Sequence, residues 1–259
     1  MSLLESVALA AIQGLTEFLP VSSSGHLALA SEFMNIPAGS MAFEVVLHLG
    51  TLVAVLLIYG RDLSSIAVGV VRGRREGMLT ALSLLLASVP AGIVGVFLSD
   101  RIEAVFGMPL VVSLLMLLTG TVLFLTRFSP PGRGEPGIRR GVFIGFFQAL
   151  AVLPGVSRSG LTISAGLFRG VDRAEAARFS FLLSVPAILG AAVLELPKAE
   201  WNTPVGVLVA GFAVSALVGY GALKLLLRFV GAGALHRFCW YCWAVGGFGT
   251  VWFILNRGA

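Results

Sequence analysis

Six apolar stretches, each long enough to cross a lipid bilayer as a helix, constrain this sequence more than any other feature. Crossing the hydrocarbon core takes about 20 predominantly apolar residues. The six stretches lie at roughly 42–60, 79–98, 109–127, 179–196, 205–227 and 236–255. Only 12% of the chain is charged, about half of what a soluble domain carries. The sequence therefore predicts an all-α polytopic membrane protein that forms a single membrane domain over 1–259.

Two further apolar stretches, at about 3–33 and 141–168, are each interrupted near the middle. The interruptions run from Pro20 to Gly25 and from Pro154 to Gly160, and they combine proline, glycine and several serines. Backbone released from helical hydrogen bonding at membrane depth is tolerated only where protein or a water-filled cavity satisfies it. Both stretches are predicted to be re-entrant helix–loop–helix segments, which leave the bilayer on the side that they entered.

The distribution of positive charge predicts the orientation of the helices. Of the 18 Lys and Arg residues, 14 lie in the segments 61–77, 127–140, 169–178 and 224–237. Lys and Arg are enriched in cytoplasmic loops, so these segments are assigned to the cytoplasm. Both termini are then outside, the first re-entrant segment enters from outside, and the second enters from the cytoplasm. The predicted location is the plasma (inner) membrane.

The two interrupted stretches are related by an internal repeat. Gln13 to Gly25 (QGLTEFLPVSSSG) aligns without gaps to Gln148 to Gly160 (QALAVLPGVSRSG) at an offset of about half the chain. Each half then contains one re-entrant segment and three spans, repeat 1 over about 1–128 and repeat 2 over about 138–259. Since three is odd, the second copy must be inverted in the membrane. Such inverted-topology repeats place their site at the repeat interface, near the midplane.

The polar residues of the two motifs form the candidate site, because ionisable groups at membrane depth are costly and usually functional. Glu17 can hold a divalent cation or take a proton, and the Arg158 guanidinium can bind two phosphate oxygens. Small hydroxyls and backbone N–H groups where a helix begins form an anion pocket. A serine beside a base, such as Ser23 near His26, is the usual form of an activated nucleophile. The remaining candidates are Gln13, Ser22, Ser24, Gly25, Ser157, Ser159, Gly160 and Thr162.

Together these groups predict a phosphorylated substrate with an apolar body. Structural roles stand as alternatives for the same residues. Ser22 would then only permit close helix packing, Glu17 would cap backbone N–H groups, and Arg158 would be the counter-ion of Glu17. His26 would be a core histidine with its hydrogen bonds satisfied. His48, in the middle of a span, is expected to be a packing or helix-contact residue.

The sequences EFLPVSSSGH (Glu17 to His26), with Gln13 before it, and PGVSRSGLTI (Pro154 to Ile163) resemble the two signatures of the undecaprenyl-pyrophosphate phosphatase family. This is the family associated with bacitracin resistance, and the resemblance covers the whole chain. It implies hydrolysis of undecaprenyl pyrophosphate to undecaprenyl phosphate and inorganic phosphate, which recycles the lipid carrier for cell-wall peptidoglycan synthesis. It also implies dependence on Mg²⁺ or Ca²⁺ and a site that faces the periplasmic or extracellular side.

The resemblance also assigns residue roles. Glu17 is implied as a metal ligand or acid–base group, and Ser157, Arg158 and Ser159 as a phosphate clamp with Thr162. The hydroxyls of Ser22, Ser23 and Ser24 and the ring of His26 complete the implied site. One departure concerns Gln13, because the family commonly has a second glutamate there. Gln13 can still ligate a cation through its carbonyl oxygen but cannot be a base, which leaves Glu17 as the single carboxylate of the motif.

The working hypothesis is that Arg158 holds the terminal phosphoryl group, a cation lies at Glu17 and Gln13, and Ser23 attacks with the help of His26. Attack by water or by His26 itself remains open. The alternative function is a polyprenyl-phosphate flippase or transporter that uses the same phosphate clamp. The partners are expected to be the lipid substrate and the bilayer, with no nucleic acid, and a homodimer is compatible with the sequence. A second type of membrane lipid phosphatase is rejected, because no further histidine follows Arg158 within ten residues.

Overall fold

The computed structural model describes residues 2–33, 41–199 and 201–256, and within these ranges all regular structure is helical. Turns, irregular segments and three single-turn 3₁₀ segments connect the α-helices within these ranges. The helices are α1 (Leu3–Phe18), α2 (Ser23–Phe33), α3 (Met41–Val71), α4 (Arg75–Phe97), α5 (Ser99–Phe106), α6 (Pro109–Leu125), α7 (Ile138–Leu150), α8 (Arg158–Phe168), α9 (Arg173–Glu195), α10 (Val205–Gly231) and α11 (Phe238–Leu255).

Six helices within the described ranges are long and apolar enough to cross a membrane, and they coincide with the six predicted spans. These helices are α3, α4, α6, α9, α10 and α11. Their outer surfaces carry large apolar side chains; Leu57, Leu85 and Leu217 are 69%, 63% and 76% exposed. Contiguous apolar surface on this scale would be unstable in water. The prediction of a multi-pass all-helical membrane protein is confirmed.

Two helices extend beyond the predicted ends of their spans. The first span was predicted over roughly 42–60, but α3 continues to Val71 and has 31 residues. At 1.5 Å per residue this is about 46 Å, longer than the roughly 30 Å hydrocarbon core, so α3 extends into the aqueous phase. The helix ends only where Gly73 adopts φ +63°. Similarly, α9 begins at Arg173, capped by the Asp172 side chain, before the predicted start of the fourth span at about 179.

Both predicted helix breaks are present. The first separates α1 from α2 over 19–22, and the second separates α7 from α8 over 151–157. The serine-rich ends of the motifs were expected within the breaks, but they form the first turns of α2 and α8 instead. The reason is local capping, in which a side-chain oxygen accepts a hydrogen bond from the first turn of a helix. The Ser22 hydroxyl accepts from the Gly25 N–H (3.2 Å), and the Ser157 hydroxyl accepts from the Gly160 N–H (3.1 Å).

Helices of each half of the chain pack against helices of the other half. Helix α1 of the first half lies along α10 of the second, and α7 of the second half lies along α4 of the first. In the same way α3 contacts α10, and α9 contacts α4. The core between them is built around Phe181, whose ring contacts those of Phe18 and Tyr59. This arrangement places the breaks after α1 and α7 inside the bundle.

Close contact between α7 and α4 depends on Gly145. A Cβ at this position would lie 2.7 Å from the Cα and 2.9 Å from the carbonyl carbon of Ala87. We expect Gly145→Ala to destabilise the protein by about 1–3 kcal/mol, because the two backbones must move apart. The measurement is thermal unfolding in detergent. The matched control is Gly92→Ala on α4, where a Cβ meets open space and alanine should be neutral or stabilising. Equal unfolding midpoints for the two variants would contradict this packing.

Candidate active site

The carboxylate of Glu17, near the end of α1, is the centre of the polar site. The residue is 9% exposed, and both of its oxygens accept hydrogen bonds. Oε1 accepts from Arg158 Nη2 at 2.8 Å, across the two motifs. Oε2 accepts from Ser23 Oγ at 2.7 Å and from Gln13 Nε2 at 3.1 Å. The structure therefore brings together four of the residues that the sequence predicts for the site.

Arg158, the first residue of α8, faces this centre with a side chain that is 15% exposed. Its Nη2 binds Glu17, while Nη1 is buried and has no hydrogen-bond partner among the described residues. A guanidinium presents its donors in a planar fork that matches a phosphate or carboxylate. Arg158 is thus the counter-ion of Glu17 on one side and retains a donor for an anion on the other. The two roles predicted for it are compatible.

The N-termini of α2 and α8 meet beside this pair. A Cβ on Gly25 would lie 3.0 Å from the Gly155 Cα, and a Cβ on Gly160 would lie 3.2 Å from the Pro20 Cβ. The Ser22 hydroxyl also accepts from the Gly155 N–H (3.1 Å), which joins the two motifs directly. Helix N-termini carry partial positive charge, so their convergence favours a bound anion. Glycine is favoured at both positions because a Cβ would make unusually tight contacts there.

Ser22 has an unusual backbone conformation, with φ +71°. This left-handed region is costly for a residue with a Cβ, and such conformations cluster at functional sites. Three groups are bound through Ser22: its hydroxyl accepts from Gly25 and Gly155, and its carbonyl accepts from the His26 N–H. The equivalent residue of the second motif, Ser157, has φ −79° and makes the same cap without strain.

The other predicted hydroxyls are hydrogen-bonded to residues that surround the site. Ser24 Oγ is 3.4 Å from Ser22 Oγ, and the buried Ser159 Oγ is 3.3 Å from Ser157 Oγ. Thr162 is fully buried, donates to the Arg158 carbonyl oxygen (2.7 Å) and shares a hydrogen bond with Ser180 (2.6 Å). Its contacts hold the first turn of α8 in place under Arg158.

The sequence hypothesis places His26 beside the Ser23 hydroxyl. In the structure, His26 has other partners. Nδ1 of His26 lies 2.7 Å from the Ser22 carbonyl oxygen, and Nε2 lies 2.8 Å from the Tyr241 hydroxyl. Side chains in a helix lean towards its N-terminus, so the His26 ring reaches back one turn to Ser22. The Ser23 hydroxyl donates instead to Glu17, which makes Glu17 the nearest base.

Two residues that the sequence did not assign to the site contact it. Tyr241, on α11, stacks on the His26 ring at 5.5 Å between centroids. His48, on α3, has its Nε2 3.6 Å from Glu17 Oε2. His48 is a helix-contact residue as expected, but the group that it contacts is the buried carboxylate. The sequence signal that could have identified His48 is an ionisable side chain at membrane depth, the criterion that identified Glu17. Nothing in the sequence marks Tyr241.

The residues present are compatible with a divalent cation whose remaining ligands are substrate oxygens and water molecules. Glu17 supplies one carboxylate, and the Gln13 Oε1 beside it is buried without a hydrogen-bond partner. The described part of the chain contains no group of three or more His, Cys, Asp or Glu side chains that would enclose a metal ion. Mg²⁺ in particular is commonly bound by one or two carboxylates together with substrate phosphates.

These features define a polytopic helical membrane protein with a buried polar site between two helix N-termini. The chain belongs to the bacitracin resistance protein BacA family, whose profile matches residues 6–248. It is 45% identical to an undecaprenyl-diphosphatase of Desulfosudis oleivorans, over 96% of this chain and 97% of that protein. An undecaprenyl-diphosphatase of Geobacter metallireducens is 40% identical, over 99% and 100% of the two chains. One of Methanosphaera stadtmanae is 35% identical, over 95% and 96%.

The strained backbone of Ser22 predicts that alanine and glycine substitutions differ more in stability at Ser22 than at Ser157. Alanine and glycine both remove the Ser22 hydroxyl, but only glycine adopts φ +71° without cost. We expect the Ser22→Ala protein to be less stable than the Ser22→Gly protein. This difference in unfolding free energy should exceed the difference between Ser157→Ala and Ser157→Gly by about 1 kcal/mol. Thermal unfolding of the four variants in detergent gives both gaps. Equal gaps at the two positions would show that the backbone of Ser22 is not strained.

Proposed function

We propose that this chain is a membrane phosphatase that hydrolyses undecaprenyl pyrophosphate to undecaprenyl phosphate and inorganic phosphate. Membership of the BacA family and the names of the relatives support this activity, with identities of 35–45% over nearly the whole chain. The structural observation that carries it is the junction of Ser23, Glu17 and Arg158, which combines a nucleophile, a base and a phosphate ligand. The reaction recycles the lipid carrier for cell-wall synthesis, which agrees with the association of the family with bacitracin resistance.

Arg158 binds the terminal phosphoryl group in this mechanism. Its Nη1 and the first-turn N–H groups of α8 donate to the phosphoryl oxygens, while Nη2 stays on Glu17. Preorganised donors of this kind stabilise the charge that develops in the transition state. A divalent cation held by Glu17 and Gln13 would offset the charge of the pyrophosphate. The lipid tail of the substrate leaves the bundle towards the apolar phase.

The reaction proceeds in two displacements on phosphorus. Ser23 Oγ attacks the terminal phosphorus, its proton passes to Glu17 Oε2 at 2.7 Å, and undecaprenyl phosphate leaves. Water then attacks the phosphoserine, Glu17 returns its proton to the leaving Ser23 oxygen, and inorganic phosphate departs with both protons of the water. Direct attack by a water molecule, with Glu17 as base, uses the same groups. His26, held by Ser22 and Tyr241, borders the site and is not the base in either route.

The arrangement in the membrane forms a second part of the proposal. The two broken segments, α1–α2 and α7–α8, are re-entrant, and the two halves of the chain form an inverted repeat. Support comes from the exchanged packing of α1 on α10 and α7 on α4, and from the matching serine caps of α2 and α8. The charge asymmetry supports a site that faces the outer side of the plasma (inner) membrane, with both termini on that side.

A flippase that uses the same phosphate clamp is not favoured by any comparison. The relatives carry the name of a hydrolase. A carrier needs the clamp alone, whereas this site adds a serine hydroxyl bonded to a buried carboxylate. The two functions differ in whether phosphate is released.

Release of inorganic phosphate from undecaprenyl pyrophosphate by the purified protein is the direct test of activity. We expect release by the wild type, loss of release in EDTA, and a decrease in kcat/KM of about 100-fold or more for Arg158→Ala. Arg228→Ala, which removes an exposed positive charge at the end of α10, is the matched control and should keep full activity. No release by the wild type would refute the hydrolase. Near wild-type turnover by Arg158→Ala would refute the role of that residue.

Labelling of introduced cysteines tests the orientation. Asn256→Cys, after α11, should react with a membrane-impermeant maleimide in intact spheroplasts, because the C-terminus is proposed to be outside. Arg74→Cys, between α3 and α4, should react only after lysis. The native Cys239 and Cys242 are fully buried, so background labelling should be low. The reverse labelling pattern would invert the topology.

A further inference from the structure

We infer that His48 is a third protein ligand of the divalent cation at Glu17, so that this chain binds the cation through an imidazole nitrogen as well as through oxygen. The inference rests on the proposed function, because it concerns the cation of the same site. It assigns a metal-binding role to a residue on α3, outside both sequence motifs.

The hydrogen bond on the far side of the His48 ring determines which nitrogen faces the site. Nδ1 lies 2.9 Å from the backbone carbonyl oxygen of Glu44, one turn earlier in α3. A carbonyl oxygen only accepts, so Nδ1 carries the hydrogen, and the lone pair of neutral imidazole is on Nε2. Metal-ligating histidines commonly donate their other ring N–H in this way, often to a backbone carbonyl. The ring is therefore already in the tautomer that a metal requires.

The separation between His48 and Glu17 fits a shared ion better than a direct hydrogen bond. Nε2 is 3.6 Å from Glu17 Oε2, beyond the range of an N–H···O hydrogen bond. A cation with bonds of about 2.1 Å to each of the two atoms would span this gap. The two atoms come from different helices, α1 and α3, so the ion would join them.

Gln13 and Glu44 complete the surroundings of this position. The Gln13 amide lies against the same oxygen, with its Nε2 3.1 Å from Glu17 Oε2. A half-turn about the last side-chain bond exchanges its nitrogen and oxygen, which presents Oε1 to the ion. The Glu44 carboxylate, one turn before His48 on α3, is close enough to interact electrostatically with the His48 ring. Arg158 is bonded to Oε1 of Glu17, on the opposite side of the carboxylate.

Access and metal preference follow from this ligand set. The His48 side chain is 33% exposed and that of Glu17 is 7% exposed, so His48 is the more accessible of the two proposed ligands. Pyrophosphate oxygens and water would fill the remaining positions. An imidazole ligand suits first-row transition metals, while sites made only of oxygen suit Mg²⁺ and Ca²⁺. We therefore expect this chain to bind Mn²⁺ more tightly than Ca²⁺.

Pulsed electron paramagnetic resonance of Mn²⁺ bound to the full-length protein in detergent tests the assignment. Nuclear modulation from a directly bound imidazole nitrogen should be present in the wild type and absent in His48→Gln. His26→Gln, which changes the other histidine near the site, should keep the signal. Loss of the ligand should weaken Mn²⁺ binding at least about tenfold, since even outer-shell changes cost 10- to 100-fold. An unfolding midpoint close to that of the wild type would show that His48→Gln is folded.

Two results would overturn the inference: no nitrogen modulation in the wild type, or a signal that persists in His48→Gln. If His48→Gln loses activity but binds Mn²⁺ as the wild type does, His48 is only an ion-pair partner of Glu17, and the inference fails. Phosphate release by the wild type is measured separately. Release without a nitrogen signal therefore leaves the proposed function intact while it rejects the ligand.

Discussion

The ion pair between Glu17 and Arg158 is the interaction on which the rest of the site depends. It joins the end of α1 to the start of α8, and therefore the two halves of the chain, at 2.8 Å. Removing two charges from water is costly, and loss of one partner leaves the other buried and unpaired. Within a membrane bundle this penalty makes the approach of the two motifs a condition of folding. The same contact orients Glu17 towards Ser23 and the free donor of Arg158 towards the substrate.

The close approach of the two motifs requires small residues and a strained turn. Gly25 and Gly160 lie where any side chain would meet the opposite segment, and Ser22 adopts a left-handed conformation that lets its hydroxyl cap both α2 and the backbone of Gly155. The result is a junction of two helix N-termini with converging partial positive charge. A pyrophosphate group is a suitable ligand for such a junction because it is compact and strongly anionic.

The replacement of a carboxylate by an amide at Gln13 changes how a cation can be held. Glu17 retains the single negative charge of its motif, and Arg158 neutralises much of it. His48, whose Nδ1 bonds to the Glu44 carbonyl oxygen one turn earlier on α3, brings a ring nitrogen to within 3.6 Å of Glu17 Oε2. The proposed ligands lie on two helices, so the packing of α3 against α1 would determine how the cation is held.

The sequence by itself determined the class of the protein, the six spans and both helix breaks, and it singled out Glu17, Ser23 and Arg158, which the structure brings together. These features are local: apolar length, helix-breaking residues and ionisable groups at membrane depth are all read along the chain. Tertiary structure alone decided the rest. The sequence could not show that Ser23 donates to Glu17 instead of His26, because that depends on the direction of two side chains in space. Nor could it bring in His48 and Tyr241, whose helices reach the site only through packing that connects distant parts of the chain.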